Sequence, residues 1–357
     1  MKILYDHQIF TLQKYGGISK YFSSLIEHIS LSDQHSVHTP ILFNENENFK
    51  GGFNLRVNFK GKSKIYNYLN DTNSKKNLMK TNAFDVFHPT FYSTYYLNYL
   101  KIPLIITVHD MTDELITKNN NKLIREKKQL MDAANHVIAV SQNTKNDIIK
   151  LYPDINPSKI TVSYLATSYE KKIPKNIIEG KKKYILFVGN RSSYKNFILF
   201  IKEIHALLLS YNDIYLLCAG GGSFTKEELS IIDALKLENK TIQINFKDDN
   251  ELESIYRNAL CFVFPSLYEG FGIPILESFA CGCPAILNNT SSLPEIGSEG
   301  AIYFSFFEKD SLTNQIEAII NNNDFREKTI NNGYSRLESF SWKKTSEEHV
   351  KVYQNYN

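Results

Sequence analysis

Short apolar runs alternate with amphipathic helical patterns along the whole of this sequence, and the alternation starts twice. A strand, a helix and a further strand in the same direction require a crossover lying on a sheet face, so the pattern predicts parallel α/β layers. The first round places strands at Ile3–Tyr5, Val37–Leu42, Val86–His88, Leu104–Val108 and Val137–Val140, with helices at Ser19–Ile29 and Thr144–Leu151. From Ser158 to Lys183 the pattern breaks into a segment with Pro174 and the run Lys181-Lys182-Lys183, which reads as a linker. The second round opens with Tyr184-Ile-Leu-Phe-Val188, a helix from about Asn196 to Leu209, and a strand Ile214–Ala219 ending at Gly220-Gly-Gly222. Strands at Ile242–Phe246, Cys261–Pro265 and Ala285–Asn288 follow, separated by helices at Lys226–Lys236, Glu251–Ala259 and Pro274–Ala280. Three more helical patterns close the chain, the last over Trp342–Tyr356. Two Rossmann-like domains are therefore expected, over 1–170 and 171–342.

Length and charge agree with two cores and narrow the function. At 357 residues the chain is about two ordinary domains long. Lys+Arg 41 against Asp+Glu 38 leaves +3, too little for a nucleic-acid binder held by bulk electrostatics. An anionic partner must be met by a few placed cations. The opening MKILYDHQIF has no apolar signal region, and Phe197 to Cys218 is interrupted by Lys202, Glu203, His205 and Asp213, so a cytoplasmic protein with at most peripheral membrane contact is expected. Cys218, Cys261, Cys281 and Cys283 lie in apolar segments without paired spacing and read as reduced core residues.

The most informative stretch is Phe264-Pro-Ser-Leu-Tyr-Glu-Gly-Phe-Gly-Ile-Pro-Ile-Leu-Glu277. A strand ends, a loop carries Glu269 with Gly270, Phe271 and Gly272, and Pro274 opens a helix. Ligands of open α/β sheets bind beyond the carboxyl ends of strands, where this loop falls. Its glycines allow close backbone approach, and helix amides suit an anion. Glu277, expected in the first helical turn, and Glu269 have the chemistry to accept from polyol hydroxyls. The plain alternative is a dipole-complementing acid and a shaped turn. Arg191 and Lys195, after Val188-Gly189, sit where a guanidinium and an ammonium can clamp a diphosphate; as solvated surface charges they would do nothing. Gly16-Gly17 precedes a helix and His109 follows a buried strand. Ser141 and Thr144 read equally well as a helix cap, and no role is assigned to Ser141.

Glu269-x7-Glu277 resembles the signature of the retaining GT-B glycosyltransferases of family 4 (group 1), and the match continues through Ala280-Cys-Gly-Cys-Pro-Ala-Ile286 and Leu293-Pro-Glu-Ile-Gly297. Tyr15-Gly-Gly-Ile-Ser, His109-Asp110, Val140-Ser-Gln-Asn-Thr144 and the basic pair Arg191 and Lys195 match further family motifs in order. The resemblance implies a GT-B fold, two Rossmann-like domains facing each other across a cleft, with the last helix (343–357) packed back onto the first domain. It implies a retaining transfer of sugar from a nucleotide diphosphate donor to a saccharide or lipid-linked acceptor, with no protein nucleophile. Arg191 and Lys195 would stabilise the leaving group, Glu269 and His109 orient the sugar, and Glu277 hold the ribose. Gly16, Gly17, Gly189, Gly270, Phe271 and Gly272 would line the donor. No Asp-x-Asp pair occurs, so no metal and no cofactor is expected.

The opening Gly-Gly-Ile-Ser-Lys-Tyr-Phe with Val-His-Asp looks most like bacterial mannosyltransferases of surface-polysaccharide (O-antigen or capsule) assembly, which makes GDP-mannose the leading donor and leaves UDP-hexoses open. Rival readings are a nucleotide-sugar 2-epimerase and a non-catalytic sugar-binding subunit. Among the 22 Tyr and 23 Phe, the cluster Phe91–Tyr99 follows His88-Pro89, and Tyr92, Tyr95 and Tyr96 are expected to offer rings to an acceptor sugar. Lys62-Ser-Lys-Ile-Tyr-Asn-Tyr-Leu69 with Lys75, Lys76 and Lys80 is expected either to meet anionic lipid at the inner face of the cytoplasmic membrane or to be a solvated helix face.

Overall fold

A computed structural model of the 357-residue chain describes residues 1–53, 60–118, 120–172, 183–191 and 193–356. The chain forms two compact units, Met1–Ala166 with Ser341–Asn357, and Thr167–Phe340.

In the first unit the order is β1 (Lys2–Tyr5), α1 (Gln8–Leu12), α2 (Gly17–Ser30), β2 (Ser36–His38), α3 (Lys62–Leu78), β3 (Val86–His88), β4 (Ile105–Val108), α4 (Asn121–Ala133), β5 (His136–Ala139), α5 (Gln142–Leu151) and β6 (Ile160–Val162). Every strand pairing is parallel, in the orders β2-β1-β3 and β4-β5-β6. A bridge between Phe87 and Leu104, with the Phe87 amide 2.9 Å from the Pro103 carbonyl, joins the two sets. β1, β3, β4 and β5 are apolar and almost wholly buried, as strands covered on both faces must be.

Two sequence expectations change here. The strand expected over Val37–Leu42 stops at His38, because Pro40 has no amide for the ladder. The expected linker contains β6, whose Ile160 and Val162 register against Val137 and Ala139; Thr161 interrupts its apolar run and only Ile160 is buried. Pro174, Lys181 and Lys182 of that linker lie outside the described residues, and Lys183 is the first residue of the next strand.

The second unit runs β7 (Lys183–Val188), α6 (Phe197–Ser210), β8 (Ile214–Ala219), α7 (Lys226–Ala234), β9 (Thr241–Ile244), α8 (Asp249–Arg257), β10 (Cys261–Phe264), α9 (Ile273–Ala280), β11 (Ala285–Asn288), α10 (Leu293–Gly297), β12 (Ile302–Phe304), α11 (Ser311–Asn321) and α12 (Asn323–Leu337). Its six strands are parallel in the order β12-β11-β10-β7-β8-β9, the doubly wound arrangement of a dinucleotide fold, and the winding reverses between β7 and β10. Phe187, Phe200, Ile204, Leu216, Val263 and Ile316 fill one face of the sheet. The four cysteines are buried and unpaired, and burial pushes their thiols up, Cys261 to about 12.

The last helix, α13 (Trp342–Gln354), belongs to the first unit and packs on α2. Ser341 caps it, its hydroxyl accepting the Lys344 amide at 3.2 Å. A buried chain of polar contacts ties it to the sheet: Tyr5 to Tyr353 at 2.8 Å, Tyr353 to His88 at 2.7 Å, His88 to Thr107 at 3.0 Å, Thr107 to Tyr21 at 3.1 Å and Tyr21 to His349 at 2.7 Å. Burial holds His88 well below the ordinary imidazole range and pushes His349 down to about 4. Among the described residues no helix is long and apolar enough to cross a membrane.

Candidate functional site

The carboxyl ends of β7 and β10 are neighbours because the winding reverses between them, and both loops that leave this edge carry residues singled out in the sequence. Lys195 follows β7 and Glu269 follows β10. They meet as an ion pair with Nζ 2.5 Å from Oε1, their side chains 14% and 13% exposed. The ammonium also lies 5.2 Å from the Tyr194 ring centroid and 5.1 Å from that of Phe264, so it is walled by aromatic faces.

The Glu269 loop is fixed on both sides. The Leu267 amide donates to the Tyr194 carbonyl at 2.8 Å, tying it to the Lys195 loop. From the segment after β11, Ser291 accepts the Glu269 amide at 3.0 Å, and Ser292 donates to the carbonyls of Glu269 and Phe271 at 2.9 and 3.0 Å. Gly272 takes φ +102°, a left-handed turn that glycine enters without strain, and α9 starts at the next residue. Gly270 is buried, and Phe271 sits 4% exposed with its ring edge-on to Phe340.

Three expectations are corrected. Glu277 is the fifth residue of α9, not a first-turn acid, since the helix starts at Ile273; it is 6% exposed and its carboxylate accepts from the Tyr256 hydroxyl at 3.3 Å. Arg191 is turned away from a clamp: Nε donates to Glu228 at 2.8 Å, Nη1 to the Gly220 carbonyl at 3.1 Å, and Nη2 to the Gly222 and Ser223 carbonyls, both at 2.9 Å. Its side chain is 3% exposed and stacks on Phe224 at 4.7 Å, so it fastens the triglycine loop after β8 to the Gly189 loop after β7. The tyrosine cluster is largely interior. Tyr96 is 0% exposed, edge-on to Phe87, and Tyr92 is 5% exposed, its hydroxyl accepting the His109 amide at 2.9 Å. Tyr95 is half-buried and donates to Asp6 at 3.2 Å. These rings are packed, not offered.

In the first unit His109 stands just beyond the end of β4, edge-on to Tyr21 at 5.1 Å and Phe22 at 5.8 Å. Burial pushes its imidazole down to about 4, and among the described residues its buried Nε2 has no hydrogen-bond partner. A neutral imidazole at that position can accept from, or donate to, a hydroxyl. Gly16 has extended backbone and caps α2. It leaves room for Gln13, whose side-chain oxygen takes the Ser19 amide at 3.3 Å; Gly17 is the first helical residue. Ser141 is a plain cap, accepting the Thr144 amide at 3.0 Å.

Residues 15–168 match the family model for Glycosyltransferase Family 4, and residues 168–336 match Glycosyl transferases group 1. This chain belongs to the group 1, family 4 glycosyltransferases. The glycosyltransferase is 30% identical over 227 residues to the O-antigen chain mannosyltransferase RfbU of Salmonella typhimurium, covering 61% of this chain and 62% of that one. The alignments span about three fifths of the length of the O-antigen mannosyltransferases it matches. Over 95% of its own length and 94% of the relative's it is 27% identical to an uncharacterized glycosyltransferase, MJ1178, of Methanocaldococcus jannaschii. Its fold matches the sucrose-phosphate synthase of Thermosynechococcus elongatus with a TM-score of 0.76, at 15% identity, over 99% and 98% of the two chains, which gives it the two-domain GT-B architecture.

Sequence reasoning missed Lys127, Glu114, Tyr21 and His349. Lys127 was findable: it lies four residues after Leu123 and three before Leu130, on the inward stripe of α4.

Proposed function

We propose that this glycosyltransferase transfers a hexose, with mannose from GDP-mannose as the leading donor, to a saccharide or lipid-linked acceptor of a surface polysaccharide, with retention and without a metal ion. The observation that carries the reading is the Lys195–Glu269 pair at the sheet edge where the winding reverses. Lys195 supplies positive charge to the diphosphate as its bond to the sugar lengthens. Glu269 gives up its ion pair on donor binding and accepts from sugar hydroxyls. The Gly270–Gly272 backbone and the start of α9 are assigned to the phosphates, and His109, by the family resemblance, to orienting the sugar. Front-face attack lets the leaving phosphate take the acceptor's proton, so no side chain is assigned as nucleophile. Arg191, bonded through Nε, Nη1 and Nη2 to Glu228 and the triglycine loop, is assigned to supporting that loop.

The reading is tested by thermal-shift screening of GDP- and UDP-sugars, followed by transfer assays with and without EDTA and NMR assignment of the product anomer. GDP-mannose alone should stabilise the protein and yield an α-linked product with EDTA present. Stabilisation by UDP-hexoses only would replace the donor, an inverted product would remove retention, and an epimerised donor without acceptor would make the protein an isomerase. Lys195→Ala should lower kcat on the order of 100-fold.

Peripheral docking on anionic lipid is proposed in a reduced form. Lys62 is buried against Glu45, Lys75 lies over the Tyr95 and Tyr99 rings, and Lys80 is bonded to Asn77, so these three are engaged within the unit. The exposed face of α3 that carries Lys64, Ile65, Tyr68 and Lys76 is the docking surface. Co-sedimentation equal with zwitterionic and anionic vesicles would refute it.

A further inference from the structure

Lys127 is one of the largest fully buried side chains of the first unit, 1% exposed in the middle of α4. An ammonium in that setting is costly unless its hydrogens are satisfied. It donates to the Asp110 carbonyl at 3.1 Å and to Glu114 Oε2 at 2.9 Å, and it lies 5.3 Å from the centre of the Tyr92 ring. The Tyr92 hydroxyl accepts the amide of His109, the residue before Asp110. One buried cation thus holds the carbonyl on one side of the His109-Asp110 step and the ring whose oxygen holds the amide on the other. Glu114 belongs to a π-helical turn, Asp113–Thr117, closed by the Lys118 amide on the Asp113 carbonyl at 2.9 Å. Such turns are rare and recur at functional sites. An apolar side chain at 127 would pack as well and would fix neither group.

We propose that Lys127 is a positioning residue for sugar transfer: with Tyr92 and Glu114 it sets the His109-Asp110 turn and so aims the His109 imidazole at the donor sugar. The inference rests on the role given to His109 above.

The experiment compares His109→Ala, the charge-neutral pair Lys127→Met/Glu114→Gln, and Tyr92→Phe, which removes one oxygen and keeps the ring. Each is assayed for kcat and KM with GDP-mannose, and the imidazole signal of His109 is followed by NMR. The pair should lower kcat on the order of 10- to 100-fold with donor KM within about threefold, and should displace the His109 signal. Tyr92→Phe should do the same to a smaller degree. An impaired His109→Ala beside wild-type turnover and an unmoved His109 signal in both other proteins would overturn the positioning role and leave the reading of His109 standing. Full activity in His109→Ala would remove that reading and the inference with it. If the pair does not fold, Tyr92→Phe decides by the same two readouts.

Discussion

At Gly221 a single added carbon would sit 2.6 Å from the Gly189 carbonyl oxygen and 2.9 Å from Arg191 Nη1, on backbone with φ +72°. Neither the backbone atom nor the anchored guanidinium can yield, so Gly221→Ala should lower the stability of the second unit by about 1–3 kcal/mol, read by urea unfolding. A wild-type midpoint would show that the loop relaxes freely. What the sequence disclosed at this scale follows from position along a strand. Lys195 and Glu269 lie in the loops that follow apolar runs, where a chain leaves a parallel sheet, and position along the sequence singled out both. Their contact, across 74 residues, was not legible, because strand order is a tertiary property. Tyr92, Tyr95 and Tyr96 look alike in sequence, and only packing separates a ring holding a backbone amide from one offered to a ligand.

Arg191 shows the same limit for loops. In sequence it is one cation of a basic pair; in the fold it donates to the four carbonyls of Gly220 to Ser223 and to the Glu228 side chain, and Glu228 in turn closes a capping box with Thr225 at the start of α7. Arg191→Met should leave Glu228, 6% exposed, without its cation and cost about 3–5 kcal/mol in urea unfolding. If Arg191 instead acted only on a diphosphate, the variant would unfold like wild type and lose turnover alone. Strands β7, β8, β10 and β11 were readable from their apolar runs of four to six residues. β2 was misplaced and β6 and β12 were missed, because pairing with neighbouring strands makes these three-residue segments strands; β3, equally short, was placed correctly.

For the whole molecule the buried imidazoles link folding to pH. His109 and His349 are both pushed down to about 4 by burial, whereas an unfolded chain would protonate them near pH 6.5. As pH falls from about 6.5 to 4 the unfolded chain takes up protons that the native one excludes, so stability declines through that window, by on the order of 3 kcal/mol for each group, and above it these groups contribute no slope. His349→Gln should flatten the decline in Tm between pH 6.5 and 4.5 by about one proton's worth; an unchanged slope would mean that the burial is relieved in solution.

The two-fold start of the α/β alternation was plain in the sequence. That the final helix completes the first unit was available only from family resemblance, since nothing in Trp342–Tyr356 names its partner. The contact between Tyr5 and Tyr353 spans 348 positions, and residues 167–340 form a body of their own between them. On the ribosome the N-terminal residues emerge first and are finished last: Tyr5, Tyr21 and His88 wait for partners on α13 while the second unit already has every strand of its sheet. A chain released before residue 342 carries a complete second unit and an unfinished first one, with its polar seam open, so premature termination near the end damages the part of the protein made at the beginning.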